Sequence, residues 1–294
     1  MRGMFMFMLG IAVGALLLAP AAAAEDSTPG NGGPLRIGLL ADVHYSTGPN
    51  WSNRHYSLSL DKCAEAVEDF NAAGADFIVA LGDSVDEIDD PEATIENLQA
   101  LDAVLAEFNG DRHYVLGNHC LGDLTKEEFR ANTLDGAIED HYYGFSMGGY
   151  RFLLLDANYR QDSVAYARNN FHWEDTYIPF AQREWLRSEL AAAAEAGEEA
   201  ILFIHQILCD ENDPHGVKNG HEIRHILEEA GNVAAVFQAH MHGGARREIN
   251  GIPYVTLQAM VAGDDNAYAL LTIEDDGVMT LEGFGREEDG VFGD

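Results

Sequence analysis

From Leu35 onward, short unbroken apolar runs alternate with segments whose apolar residues recur every three or four positions. Unbroken runs predict strands buried on both faces, and the three-four spacing predicts helices with one apolar side. Strands are expected at 35–40, 77–81, 113–116, 200–204 and 233–237. Between them, Leu60, Cys63, Ala64, Val67 and Phe70 predict a helix stopped at Gly74. Asp90-Pro91 opens a second helix, with Ile95, Leu98, Leu101, Leu105 and Phe108 on its apolar face. Thr125 with Glu128 reads as a capping box. Residues 142–147 and 150–155 predict a hairpin around Gly148-Gly149, followed by helices over 180–196 and 221–230. The tail predicts two more hairpins, 247–249 with 252–257 through Asn250-Gly251 and 268–273 with 278–282 through Asp275-Asp276-Gly277. The whole pattern is α/β, with two sheets face to face and helices outside. No linker interrupts residues 35–290, and no fixed-period repeat occurs, so 35–294 is expected to be one domain.

The N-terminus breaks this pattern. Arg2 precedes an apolar run to Ala19, then Pro20 and small residues with Ala22 and Ala24 in the register of a cleavage site. Residues 1–24 are read as a signal peptide, because the run falls short of the roughly 20 apolar residues of a spanning helix. No cysteine follows it to carry a lipid, so no stable membrane anchor is expected. Residues 25–34 are read as a flexible leader, and the mature protein as secreted or periplasmic.

Composition narrows the function. Of 294 residues, 47% are hydrophobic, enough for a large core. Seventeen basic against 50 acidic residues give a net charge of −33, which leaves no basic groove for long nucleic acid. The acidity is spread along the chain and reads as solubility by self-repulsion. Three cysteines (Cys63, Cys120 and Cys209) make no disulfide framework, and sequence leaves open whether Cys120 and Cys209 pair.

Donor residues recur just after the apolar runs. Asp42 and His44 follow the first, Asp83 and Asp86 the second, and Asn118 and His119 the third. His205 follows the run at 200–204, and His240 with His242 the run at 233–237. Each short motif is common by itself. Together, at strand ends, they would converge on one crevice. Imidazole mixed with carboxylate and amide oxygens suits Mn, Fe or Zn rather than calcium.

The series Asp42-x-His44, Gly82-Asp83-x-x-Asp86, Gly117-Asn118-His119, His205 and His240-x-His242 resembles the calcineurin-like metallophosphoesterase family. The resemblance implies a four-layer α/β/β/α sandwich with a dinuclear centre of two divalent ions, Mn favoured, between the sheets. It implies Asp42, His44 and His242 on one ion, Asn118, His205 and His240 on the other, and Asp83 bridging them. His119 would be the catalytic histidine and Asp86 the carboxylate that orients it. The implied reaction is metal-assisted in-line hydrolysis, with His119 helping at the leaving oxygen.

Two positions depart from the family pattern. Cys120 stands where an acid is usual, so the orientation of His119 would rest more on Asp86. Ala239 stands where glycine is usual. Asp86 also replaces the ligand tyrosine of the purple acid phosphatase branch. Residues 240–244, 254–257 and 281–286 are similar to manganese-dependent ADP-ribose/CDP-alcohol diphosphatases, and bacterial proteins described as alkaline phosphatases look alike. The expected partner is therefore a small phosphorylated substrate, with phosphomonoesters and nucleotide-type diesters or diphosphates all open. Residues 51–56, with Arg54, and 158–160, with Arg160, are candidate pocket segments, as are His215 and Lys218. His113, His141, His172, His221 and His225 are read as structural or solvated. The rival reading is a metal-containing protein that binds a phosphorylated ligand without turnover.

Overall fold

The computed structural model describes residues 33–133 and 141–293. The expected signal peptide and residues 25–32 of the leader lie outside the described residues.

The apolar run Leu35–Leu40 forms β1, with Ile37 and Leu39 facing one side and Leu40 the other, all fully buried. That two-sided burial is why the run is unbroken. β1 pairs in parallel with β2 (Phe77–Ala80), which pairs in parallel with β3 (Asp111–Tyr114). On its other edge β1 pairs antiparallel with β10 (Ala267–Ile273), continued by β11 (Met279–Gly285) and β12 (Gly290–Phe292). The second six-stranded sheet contains β4 (Tyr143–Met147), β5 (Tyr150–Leu154), β6 (Glu199–Phe203), β7 (Val233–Gln238), β8 (Gly243–Ile249) and β9 (Ile252–Gln258). Its order is β4-β5-β6-β7-β9-β8. Both sheets are mixed.

Between the sheets lies a core including Phe77, Val79, Phe152, Phe203, Phe237 and Leu271. Helices α1 (Ser59–Ala73), α2 (Pro91–Leu105) and α3 (Lys126–Ala131) cover the first sheet. Helices α4 (Phe180–Ala196) and α5 (Gly220–Ala230) cover the second. The result is the four-layer sandwich that the resemblance implied. The helix signals act as read: Asp90 caps α2 by accepting from Glu92 and Ala93 N–H, and the Thr125–Glu128 box opens α3.

Three elements differ from expectation. β3 ends at Tyr114, two residues early, because Val115 and Leu116 are buried in the segment that leaves the ladder. β8 begins at Gly243, where half-exposed and charged residues carry no apolar pattern. β12 has only three residues, too few for an alternation to show. All three cysteines are buried and free, so Cys120 and Cys209 are not bridged. Among the described residues, no helix is long and apolar enough to cross a membrane.

Candidate metal centre

The donor residues do converge, but from both sheets: β1, β2 and β3 supply one side, β6 and β7 the other. Just beyond these strands the backbone turns sharply. Asp42, His44, Asp83 and His240 all have positive φ, between 45° and 68°. A side chain in that left-handed region costs roughly 1–2 kcal/mol, and four together at one site mark a held geometry. Gly82 makes room for it. A β-carbon there would lie 2.4 Å from His205 Nδ1.

Two clusters result, Asp42 with His44 and His242, and Asp83 with His205 and His240, with a third grouping of His44, Asp86 and His119 alongside them. His242 Nε2 lies 3.5 Å from Asp42 Oδ1 and 3.3 Å from His44 Nε2. In the second cluster His205 Nε2 lies 3.1 Å from both Asp83 Oδ2 and His240 Nδ1. Asp83 Oδ2 also lies 3.5 Å from His44 Nε2, so one carboxylate oxygen reaches both clusters. Its other oxygen is fixed by the His119 backbone N–H, which donates to Oδ1 at 2.8 Å. His205 Nδ1–H donates to Leu81 O at 2.8 Å, turning Nε2 inward.

The inward atoms are left without partners. Asp42 Oδ1, Asp83 Oδ2, Asn118 Oδ1 and His240 Nε2 are buried and accept no hydrogen bond. Buried polar atoms are ordinarily satisfied, and orphans of this kind need an explanation. All four are oxygens or an imidazole nitrogen able to ligate a divalent ion, so the donor set fits a pair of such ions. Electrostatics agree. Burial pushes Asp42 up, but contact with His44 and the charge of His242 outweigh it and leave the carboxyl at about 2. Burial likewise opposes ionisation of Asp83, yet His205 and His119 hold it well below the carboxylate range. Burial depresses His242 to about 4 and, with the charge of His205, pushes His240 well down. The carboxylates and the imidazoles of His240 and His242 are thus held in the forms that bind metal. His205 differs: burial opposes its charging, but Asp83 raises its pKa, so it would have to give up a proton to an ion.

His119 stands beside this centre, its ring 4.8 Å from that of His44. Asp86 lies on its Nδ1 as expected, at 2.6 Å. A second carboxylate, Glu87, lies there too, at 2.7 Å. So His119 does not depend on Asp86 alone. The Cys120 thiol is buried and accepts from Ser84 N–H. Burial fights protonation of His119, but Asp83, Asp86 and Glu87 prevail and raise its pKa well above the ordinary value. Arg54 donates to Asp86 Oδ2 at 2.8 Å and reaches His119 Nε2 at 3.3 Å. Ala239 is fully buried in the inter-sheet core, where its methyl is accommodated.

A cleft of about 590 Å³ opens over the centre. Of the candidate pocket residues, the segment around Trp51 and Arg54 lines it, and so does His215. Lys218 does not; its ammonium donates to Asp213 O at 3.2 Å. Asn158 is buried and donates to Leu116 O, and Arg160 pairs with Asp162 at the surface. His113 is packed flat against Phe145, and His225 is exposed beside Glu229, as read. Sequence reasoning missed Glu87 and Trp173. Glu87 follows an assigned acid directly, and that adjacency was the one available signal. Trp173 lies in an irregular stretch with no pattern to single it out.

The sequence profile of the calcineurin-like phosphoesterase family matches residues 35–244. A manganese-dependent ADP-ribose/CDP-alcohol diphosphatase of Arabidopsis thaliana is 24% identical, covering 87% of this chain and 96% of its own length. The rice protein of that description is also 24% identical, over 76% of this chain and 82% of its own. The crystal structure of a dimetal phosphatase from Danio rerio superposes with a TM-score of 0.77 at 22% identity. It covers 88% of this chain and 98% of that one.

Proposed function

Because this chain belongs to the calcineurin-like phosphoesterase family, and so is a metal-dependent hydrolase of phosphoester bonds, we propose that it is exported and acts on small nucleotide-type phosphodiesters or diphosphates. The observation that carries the hydrolytic reading is the set of four buried, unpartnered donor atoms on Asp42, Asp83, Asn118 and His240, three of which belong to residues that line an open cleft.

In this reading Asp42, His44 and His242 hold one ion, Asn118, His205 and His240 the other, and Asp83 both. Two divalent ions bound there would polarise the phosphoryl oxygens and lower the pKa of water. Manganese is favoured, which agrees with the names of the plant relatives. The protein's part is positioning. His119 N–H fixes one oxygen of Asp83 and leaves the other for metal. Asp86 and Glu87 accept from His119 Nδ1 and leave Nε2 on the cleft side, where Arg54 meets it at 3.3 Å. With that guanidinium drawn to a phosphate, a protonated Nε2 could give its proton to the departing oxygen. Arg54, at the cleft wall, supplies a guanidinium able to grip phosphate.

The diphosphate preference rests on the relatives' names and on a cleft large enough for more than a bare phosphate. Manganese-loaded protein offered ADP-ribose, a CDP-alcohol, p-nitrophenyl phosphate and bis-p-nitrophenyl phosphate tests it. Faster cleavage of either nucleotide supports the reading, and cleavage of p-nitrophenyl phosphate alone refutes it. Binding of all four without cleavage would favour a non-catalytic metal-containing protein that binds a phosphorylated ligand. Export rests on the pattern of residues 1–24. N-terminal sequencing should find a start near Glu25, and Met1 on membrane-bound material would count against it.

A further inference from the structure

Asn158, fully buried in the segment that follows β5, engages every polar atom of its side chain at the junction of the two sheets. Its Nδ2 donates to Leu116 O at 2.7 Å and to Asp156 Oδ1 at 2.9 Å. Its Oδ1 accepts from Gln206 Nε2 at 2.8 Å. Leu116 lies past the end of β3 in the first sheet, two residues before Asn118. Gln206 lies past the end of β6 in the second sheet and directly follows His205. One amide therefore joins the two segments that deliver Asn118 and His205, both proposed for the same ion.

The amide fits only one way round. Turned over, its oxygen would face the Leu116 carbonyl and the Asp156 carboxylate, and its nitrogen would face the Gln206 N–H. Asp156 is held in its turn. Lys126 is ion-paired with Asp156 Oδ2, and Gln182 accepts from the Asp156 N–H at 2.9 Å and donates to its backbone oxygen at 2.7 Å. Asp156 Oδ1 also accepts from the Asn158 backbone N–H at 2.9 Å. Lys126, Asp156, Gln182 and Gln206 are all buried, as Asn158 is. Such a network resists displacement, because breaking a link strands a polar atom away from water.

We infer that Asn158 is a positioning residue of the metal centre: by clasping the two segments it sets the separation of Asn118 and His205, and with it the affinity for the ion they share. The inference rests on the proposed ligand assignment, in which Asn158 itself is no ligand. Its effect is therefore selective for one ion of the pair, since Asp42, His44 and His242 lie outside the clasp.

Titration of metal-free protein with manganese tests this, followed by calorimetry and by electron paramagnetic resonance, which tells a coupled ion pair from an isolated ion. Wild type should take up two ions and show the coupled spectrum. Asn158→Ala should bind one ion within about 3-fold of wild type and the other about 10–100-fold more weakly, the usual effect of removing a ligand's support. Its spectrum should stay that of an isolated ion until excess manganese is supplied. Gln206→Ala cuts the clasp on the His205 side alone and should weaken the same ion, which decides the question where Asn158→Ala does not fold. Adding Gln206→Ala to Asn158→Ala should weaken that ion by less than about 3-fold more, because the link is already broken. Asn232→Ala is the structural control. It removes an amide that donates to Leu190 O at 3.1 Å and Glu198 O at 3.3 Å, before β6 and β7 begin, and should leave both ions bound. Normal binding of two ions by Asn158→Ala and Gln206→Ala overturns the inference. So does equal weakening of both ions, or loss of the second ion in Asn232→Ala as well. Wild type holding fewer than two ions defeats the ligand assignment, and this inference with it.

Discussion

Gly117 lies against Asp83 so closely that a β-carbon at 117 would sit 2.1 Å from Asp83 Oδ1 and 2.2 Å from the Asp83 nitrogen. The glycine is therefore a packing requirement of the Asp83 carboxylate, proposed to bridge the ions, and the segment carrying Asn118 and His119 is fitted to it. Gly117→Ala should weaken metal binding about 10–100-fold, the usual effect of disturbing a ligand's support. Elemental analysis after dialysis should find fewer than two ions per chain. Full retention would mean that Asp83 does not bridge.

His119→Ala should keep both metals and lose about 10²–10⁴-fold in turnover, the usual worth of acid–base help. The loss should be smallest with good leaving groups such as p-nitrophenolate, which need little protonation. Two carboxylates share Nδ1, so Asp86→Asn and Glu87→Gln should each have a partial effect and the double variant should approach His119→Ala. A leaving-group series on the four variants checks this. Equal losses across the series would remove His119 from the leaving oxygen.

The legible part of the molecule was the part whose chemistry repeats along the chain. β1 and β2 could be read because burial on both faces makes Leu35–Leu40 and Phe77–Ala80 uniformly apolar. The proposed metal donors could be singled out because each stands just past such a strand. Glu87 was not legible, since its role depends on the fold of the loop bringing it to the nitrogen that Asp86 already meets. Trp173 and Asn158 reach the site through contacts that no local spacing encodes. The apolar run through Leu116 set β3 two residues too late, because burial continues past Tyr114 while the strand itself begins at the exposed Asp111.

Burial raises the thiols of Cys63 and Cys120 to about 12. Neither should offer thiolate at pH 8, so both should resist a thiol reagent in the native protein. In denaturant without reductant, three thiols per chain should react. Fewer than three would reveal the disulfide that the structure lacks.

His113 is flat against Phe145, with ring centres 4.2 Å apart, and burial pushes its pKa to about 4. An unfolded histidine titrates near 6.5, so the unfolded chain takes up the proton first as pH falls. The depressed value leaves stability unaffected above about pH 6.5 and lowers it between there and about pH 4. Its share of the slope approaches about 1.4 kcal/mol per pH unit. Urea unfolding of wild type and His113→Gln at pH 6.5 and 5 should show the wild type losing more. Parallel losses would show that this ring does not carry the effect.

The most direct measurement is the metal content and activity of Asp83→Asn beside wild type, both reconstituted with manganese and freed of excess ion. Asp83 Oδ2 lies within 3.5 Å of an imidazole in each cluster, so this one carboxylate is proposed to serve both ions. Wild type should retain two ions per chain and hydrolyse bis-p-nitrophenyl phosphate or ADP-ribose. Asp83→Asn should lose bound metal and hydrolysis together. Two ions retained by Asp83→Asn, or hydrolysis by wild type after complete removal of metal, would contradict the account.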